Sequence, residues 1–254
     1  MLATLRHWFT RQAAPRPWAD VEAWAKAGAH RFTRTAEGDG FTVDGSTAGK
    51  PWRLEWGAPQ RAYIGGPELR IRMELGLPLA LQMLLLSRGL LESLETEIFE
   101  RSTADLHTHV DMSTPEEMRW LSIFARAPLS TQPALRAHFG GVSSQPALLG
   151  GWVADELAQR LEAALPSLLK AAPPFMLMTL RGRLYLRMRL DDPVSHAVDQ
   201  AAGLFEAAVL SGLQVAAAWR SEGDGWPSEG ATAWQTQYPG QYPAQDPSDP
   251  PELR

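Results

Sequence analysis

The chain has no cysteine. That excludes disulfides, thiolate nucleophiles and thiolate-held zinc or iron–sulfur sites, and it leaves the compartment undecided. It also has no long unbroken apolar run. The longest, LGLPLALQMLLL (75–86), is interrupted by Pro78 and Gln82 and reaches about half the ~20 residues a bilayer requires, so we expect no transmembrane segment. Positive charge is not in excess: a net charge of −5 and a pI near 5.7 disfavour a dedicated nucleic-acid binder. The N-terminus lacks the apolar core and small-residue cleavage site of a signal peptide, and we expect a cytoplasmic protein. No G-x-S-x-G elbow, Walker-type loop or G-x-G-x-x-G follows a strand, and we expect no cofactor.

What is present is ordinary globular chemistry. Over 254 residues, 44% are hydrophobic and 21% charged, which is enough apolar material for a sizeable core. The first acidic residue is Asp20, so Arg6, Arg11 and Arg16 stand unopposed on an N-terminal arm (1–16). Its Leu2, Leu5, Trp8 and Phe9 share one helical face, a pattern suited to peripheral membrane or partner contact.

Periodicity predicts a mixed α+β chain. PWADVEAWAKAG (17–28) reads as a short helix. HRFTRT, FTV and WRLEW read as strands separated by turn residues, and ELRIRMEL (68–75) alternates Leu69, Ile71, Met73 and Leu75 against Arg70, Arg72 and Glu74. LALQMLLLS (79–87) fits a buried strand or a helix start. Helices are predicted over 89–101, from Ser113 or Thr114 with Pro115 in the first turn, over 151–170 with Pro166 as kink or end, and over 192–213 capped by Asp192. Residues 127–151, with several Pro and Gly, read as a broken connection around a short helix carrying Leu135 and Phe139. PFMLMTLRGRLYLRMRL (174–190) reads as a hairpin turning at Arg181-Gly182.

The strings LRIRMELGLP (69–78) and LYLRMRLDDP (184–193) match in spacing and type, which fits a duplicated strand–helix unit. We therefore expect a largely antiparallel sheet with helices packed on one face. The chain divides into a first lobe over 17–112, a second over 113–219, and a Gly-, Pro- and Gln-rich tail over 220–254 without apolar periodicity.

Two polar constellations stand out. DLHTH (105–109) resembles the first metal-ligand motif of the amidohydrolase and PHP-type phosphoesterase families, which implies a divalent-metal hydrolase using His107, His109 and Asp111. Its context differs: the preceding TEIFERSTA reads as a helix end and connector, and fewer residues follow than the roughly 250 of a whole barrel. Alternation of Leu106, Thr108, Val110 and Met112 with His107, His109 and Asp111 predicts a strand with its imidazoles on the outer face, and no bound metal.

The second constellation is Arg70, Arg72, Arg183, Tyr185, Arg187 and Arg189. If the two strands share a sheet these residues form one face, with Arg181 joining if the turn keeps phase. Guanidinium groups bind phosphates and carboxylates, and a tyrosine among them can stack. Glu55 and Glu74 are placed to neutralise part of that face by cross-strand pairing. Trp24, Trp52, Trp56 and Trp120 lie on apolar faces and read as core or interface anchors. The expected function is a non-enzymatic protein-interaction or scaffolding module, with a protein partner or self-association. A metal-dependent hydrolase and an anionic-ligand binder are the alternatives.

Overall fold

The structure, a computed structural model, describes residues 17–104, 114–129 and 133–222. The N-terminal arm, the His107/His109/Asp111 stretch and the tail beyond 222 lie outside the described residues. The fold is α+β. Eight strands form one antiparallel sheet in the order β1-β2-β3-β4-β8-β7-β5-β6. These are β1 (Arg31–Arg34), β2 (Phe41–Thr47), β3 (Lys50–Gly57), β4 (Glu68–Glu74), β5 (Met83–Ser87), β6 (Phe139–Ser143), β7 (Phe175–Leu180) and β8 (Arg183–Arg189). The helices are α1 (Ala19–Ala27), α2 (Arg88–Ala104), α3 (Glu116–Ile123), α4 (Pro133–His138), α5 (Pro146–Trp152), α6 (Asp155–Ala164) and α7 (Ser195–Glu222). The compact body extends to Ala217, and α7 continues beyond it.

The matching strings 69–78 and 184–193 are neighbours in this sheet, with Leu69 opposite Met188 and Ile71 opposite Leu186. The β7–β8 turn is Arg181-Gly182, both at positive φ (51° and 79°), the pairing a two-residue hairpin of right-handed twist requires. MLLLS is strand β5, buried at every position because helices cover both of its faces.

One sheet face is largely apolar, with Thr179, Ser143 and Ser87 as buried polar exceptions. Trp52, Leu54, Leu69, Ile71, Met73, Leu184, Leu186, Met188, Phe175 and Leu177 are in register and buried. Helix α7 covers them with Val198, Ala201, Leu204, Phe205 and Ala208, and Glu206 accepts a hydrogen bond from the Thr47 hydroxyl of β2 (2.9 Å). Helix α1 is tied to α7 twice: Trp24 Nε1 donates to Asp199 (2.9 Å), and Asp20 Oδ2 accepts from the Ser195 N–H (2.6 Å). Among the described residues, helices cover the opposite face only over β5, β6 and β7. There Leu90, Leu91 and Leu94 of α2 and Met118 and Trp120 of α3 pack on Leu84, Leu86, Val142, Met176 and Met178. Helices thus pack on one face along β1–β4 and β8, and on both faces of the remainder.

Several local readings change. FGGVS lacks any apolar alternation, yet it is edge strand β6 rather than connection. Its glycines let neighbours close in: a Cβ on Gly141 would stand 2.3 Å from the Leu84 carbonyl oxygen, and one on Gly140 2.4 Å from Leu91. The helix predicted over 151–170 is interrupted at 153–154 and α6 stops at Ala164, two residues short of Pro166. Phe99 keeps the helical period of Leu91, Leu94 and Ile98 in α2, yet it is 68% exposed. Ser195–Arg220 matches a membrane-crossing helix in length and mean hydropathy (1.5), a match that the core helix of a folded domain also reaches. An alanine-rich helix with few charges reaches that value without a continuous apolar run, and half of its most apolar window is buried inside the fold.

Asp20 caps the start of α7 from another helix. Burial pushes its carboxyl up, but the Ser195 N–H and hydroxyl outweigh this and hold it below the usual carboxylate range. A lowered folded-state value means the stabilisation is present above the unfolded value of about 3.9 and is lost as pH falls through the folded one. Asp20→Ala is expected to cost about 1 kcal/mol at neutral pH. The difference from wild type should shrink in acid, as checked by urea unfolding at pH 7 and pH 3.

Candidate functional site

The bare half of the second face carries the predicted constellation. In the β4–β8 register Arg70 stands opposite Arg187, Arg72 opposite Tyr185, Glu74 opposite Arg183 and Glu68 opposite Arg189. Strand alternation puts all of these on one side, where β3 adds Arg53 and Glu55 and β2 adds Asp44. The six candidates are therefore brought together. Arg181 departs from them: it sits in the turn and reaches Glu116 of α3 at 3.4 Å.

The arginines stand in a lattice of acids. Arg53 donates to Asp44 directly across the strands (2.7 Å), Arg183 to Glu74 (2.6 Å) and Arg189 to Asp191 (2.9 Å). Arg70 and Arg72 share Glu55, at 3.3 and 3.5 Å. Two guanidinium groups facing each other, Arg70 and Arg187, would repel, and the Glu68 carboxylate resolves this. Glu68 is fully buried and takes hydrogen bonds from Arg187 Nη1 (2.7 Å), Arg70 Nη1 (3.2 Å) and the Gln60 backbone N–H (2.7 Å). Arg187 Nη2 then donates to Gln60 Oε1 (3.1 Å), and Arg70 Nη1 to the Ala58 carbonyl (2.9 Å).

The segment between β3 and β4 is thereby fastened to the sheet. A second buried carboxylate fastens its other end: Glu117 of α3 accepts from Arg61 Nε (2.7 Å) and the Tyr63 hydroxyl (2.5 Å). What remains open is a shallow depression of about 300 Å³, counting its mouth, between Arg53, Gln60, Arg72 and Tyr185. Arg72 is the guanidinium most available there, with 58% of its side chain exposed.

Alternation reveals the six face residues, whereas Gln60, Glu68 and Glu117 join the site through the fold. Glu68 keeps phase with Arg70 and Arg72, which is the one sequence signal that points to it. Glu117 meets partners more than fifty residues away, and nothing local marks it. His107, His109 and Asp111 lie outside the described residues. Among the described residues no group of three or more His, Asp or Glu is placed to hold a metal ion.

Burial, and next the charge of Glu117, raise the Tyr63 hydroxyl far above the ordinary phenol range. Tyr63 is expected to stay protonated at pH values where exposed tyrosines ionise, near 10, and to lose its proton only with alkaline unfolding. An ultraviolet titration of wild type against Tyr63→Phe checks this. Reversible ionisation of every tyrosine with circular dichroism unchanged would contradict it.

No family model matches the sequence. No curated protein matches it either. Among solved structures, the crystal structure of the mycobacterial trehalose monomycolate transport factor A, TtfA, is similar at a TM-score of 0.41 and 10% identity, over 77% of this chain and 93% of that one.

Proposed function

We propose that the protein is a non-enzymatic interaction module whose contact surface for another protein is the bare polar half of the sheet, centred on Arg72 and Tyr185. The observation that carries this reading is the uneven covering of the sheet. Among the described residues, helices shield both faces of β5–β7, while β2, β3, β4 and β8 leave one face free of helices and set it with side chains already fixed by their neighbours. Side chains held by ion pairs lose little rotamer freedom when a partner docks, which lowers the cost of association. Arginine and tyrosine are also the residue types that dominate binding energy at protein interfaces. The alternation of Asp44, Arg53, Glu55, Arg72 and Glu74 selects a partner of interleaved charge and sets its register. A second copy of the chain and a different protein are both admissible partners.

The experiment compares wild type with Arg72→Ala/Tyr185→Ala, two positions outside the buried Glu68 and Glu117 bonds. Affinity capture and sedimentation velocity are run on both, with unfolding curves to confirm equal stability. The reading predicts a stoichiometric partner or a dimer that the double variant loses. A partner or dimer retained by the variant, or no association dependent on these residues, overturns it.

A further inference from the structure

A second cleft, independent of the sheet face, opens where β5 passes into α2. Its walls are apolar: Phe139 of β6, and Leu165, Leu169, Ala172 and Pro173 from the chain between α6 and β7. It is an open cleft of about 430 Å³ counting its mouth.

The rim carries Arg88 and His138, and no carboxylate of the described residues lines the cleft. This separates it from the sheet face, where each arginine is matched by an acid. Arg88 forms no ion pair among the described residues and is instead held by three carbonyl oxygens at the end of α4. Nη2 donates to Arg136 (2.5 Å) and Phe139 (3.0 Å), and Nε to Ala137 (3.2 Å). Those bonds take three of its five N–H donors, so the group is rigid, charged, and retains both Nη1 hydrogens. His138 Nδ1 lies 2.9 Å from the Ala134 carbonyl, which as an acceptor fixes the proton on Nδ1 and leaves Nε2 for another contact. Arg88 and Gly89 are also the first residues of α2, whose positive dipole end favours an anion.

We infer that this cleft binds a small carboxylic acid with an aromatic or branched aliphatic body. The apolar body enters between Phe139, Leu165 and Leu169, and the carboxylate meets Arg88 Nη1 at the rim. The apolar walls alone would accept a neutral molecule of the same shape; the fixed guanidinium selects the acid.

The test titrates the full chain with phenylacetate and with its neutral counterpart 2-phenylethanol, followed by amide chemical shifts. Phenylacetate should shift Gly89, His138 and Ala172 saturably and bind at least about tenfold more tightly than the alcohol, the margin a charge-assisted contact supplies. Arg88→Met should reduce the acid to the alcohol's affinity. Because Arg88 also holds the end of α4, Gly89→Leu is the companion variant. A Cβ at Gly89 meets nothing within 4 Å, so a leucine there blocks the mouth without a clash and should abolish binding of both molecules. Equal affinity for acid and alcohol, a preference that survives Arg88→Met, binding that survives Gly89→Leu, or no saturable shift at these amides overturns the proposal.

Discussion

Removing the Glu68 carboxylate is expected to unfold the protein more readily than removing any other charge on the sheet. Glu68→Ala leaves Arg187 and Arg70, whose side chains are only 12% and 16% exposed, as opposed guanidinium groups with no carboxylate between them. Breaking one side of a buried pair costs about 3–5 kcal/mol, because the partner charge stays desolvated. For a domain of this size that is a melting-temperature loss of about 10 °C. The Gln60 N–H also loses its acceptor, so the segment between β3 and β4 should exchange its amide hydrogens faster. Arg72→Ala serves as the control: Arg72 is largely exposed and its pair with Glu55 is long, so its loss should cost less than about 1 kcal/mol. Urea unfolding of the two variants measures the contrast. Equal small losses would show that the buried carboxylate does not organise this face.

Trp152→Ala is expected to have a similar effect through packing. Trp152 heads the fully buried side chains by volume, and its indole N–H donates to the Ala208 carbonyl of α7 (2.9 Å). The Ser211 hydroxyl returns a bond to the Trp152 carbonyl (2.6 Å), so α5 and α7 are joined at one point by both packing and hydrogen bonds. Truncation opens a cavity and costs about 3–5 kcal/mol. Trp152→Phe retains most of the volume and loses the indole bond, so it should cost less than half as much. If the phenylalanine variant falls as far as the alanine variant, the hydrogen bond rather than the packing fixes α7.

The parts of this fold legible in the sequence are those with a period of two and a turn that needs positive φ. Strand β4, strand β8 and the Arg181-Gly182 turn satisfy both conditions, and the six face residues follow from them. The resemblance of 69–78 to 184–193 points to two strands of one kind, and the sheet sets them side by side. The β6 strand is illegible because its glycines were selected by the approach of Leu84 and Leu91, a tertiary demand that leaves no alternation. The end of α6 and the late start of α7 depend on contacts across the fold, of which the Asp20–Ser195 bond is one. Charge neutralisation on the sheet is only half legible: Glu55 and Glu74 sit in neighbouring strands in the right phase. Glu68 passes for one more polar residue until the 58–67 segment is seen closing over it.

The contact role of the bare sheet face is tested most directly by a photo-cross-linking amino acid placed at position 72. The same group at position 214, an exposed site on α7 across the sheet, is the reference. The account predicts a discrete protein adduct from position 72 and none from position 214. Adducts from 214 alone, or from neither position, would contradict it.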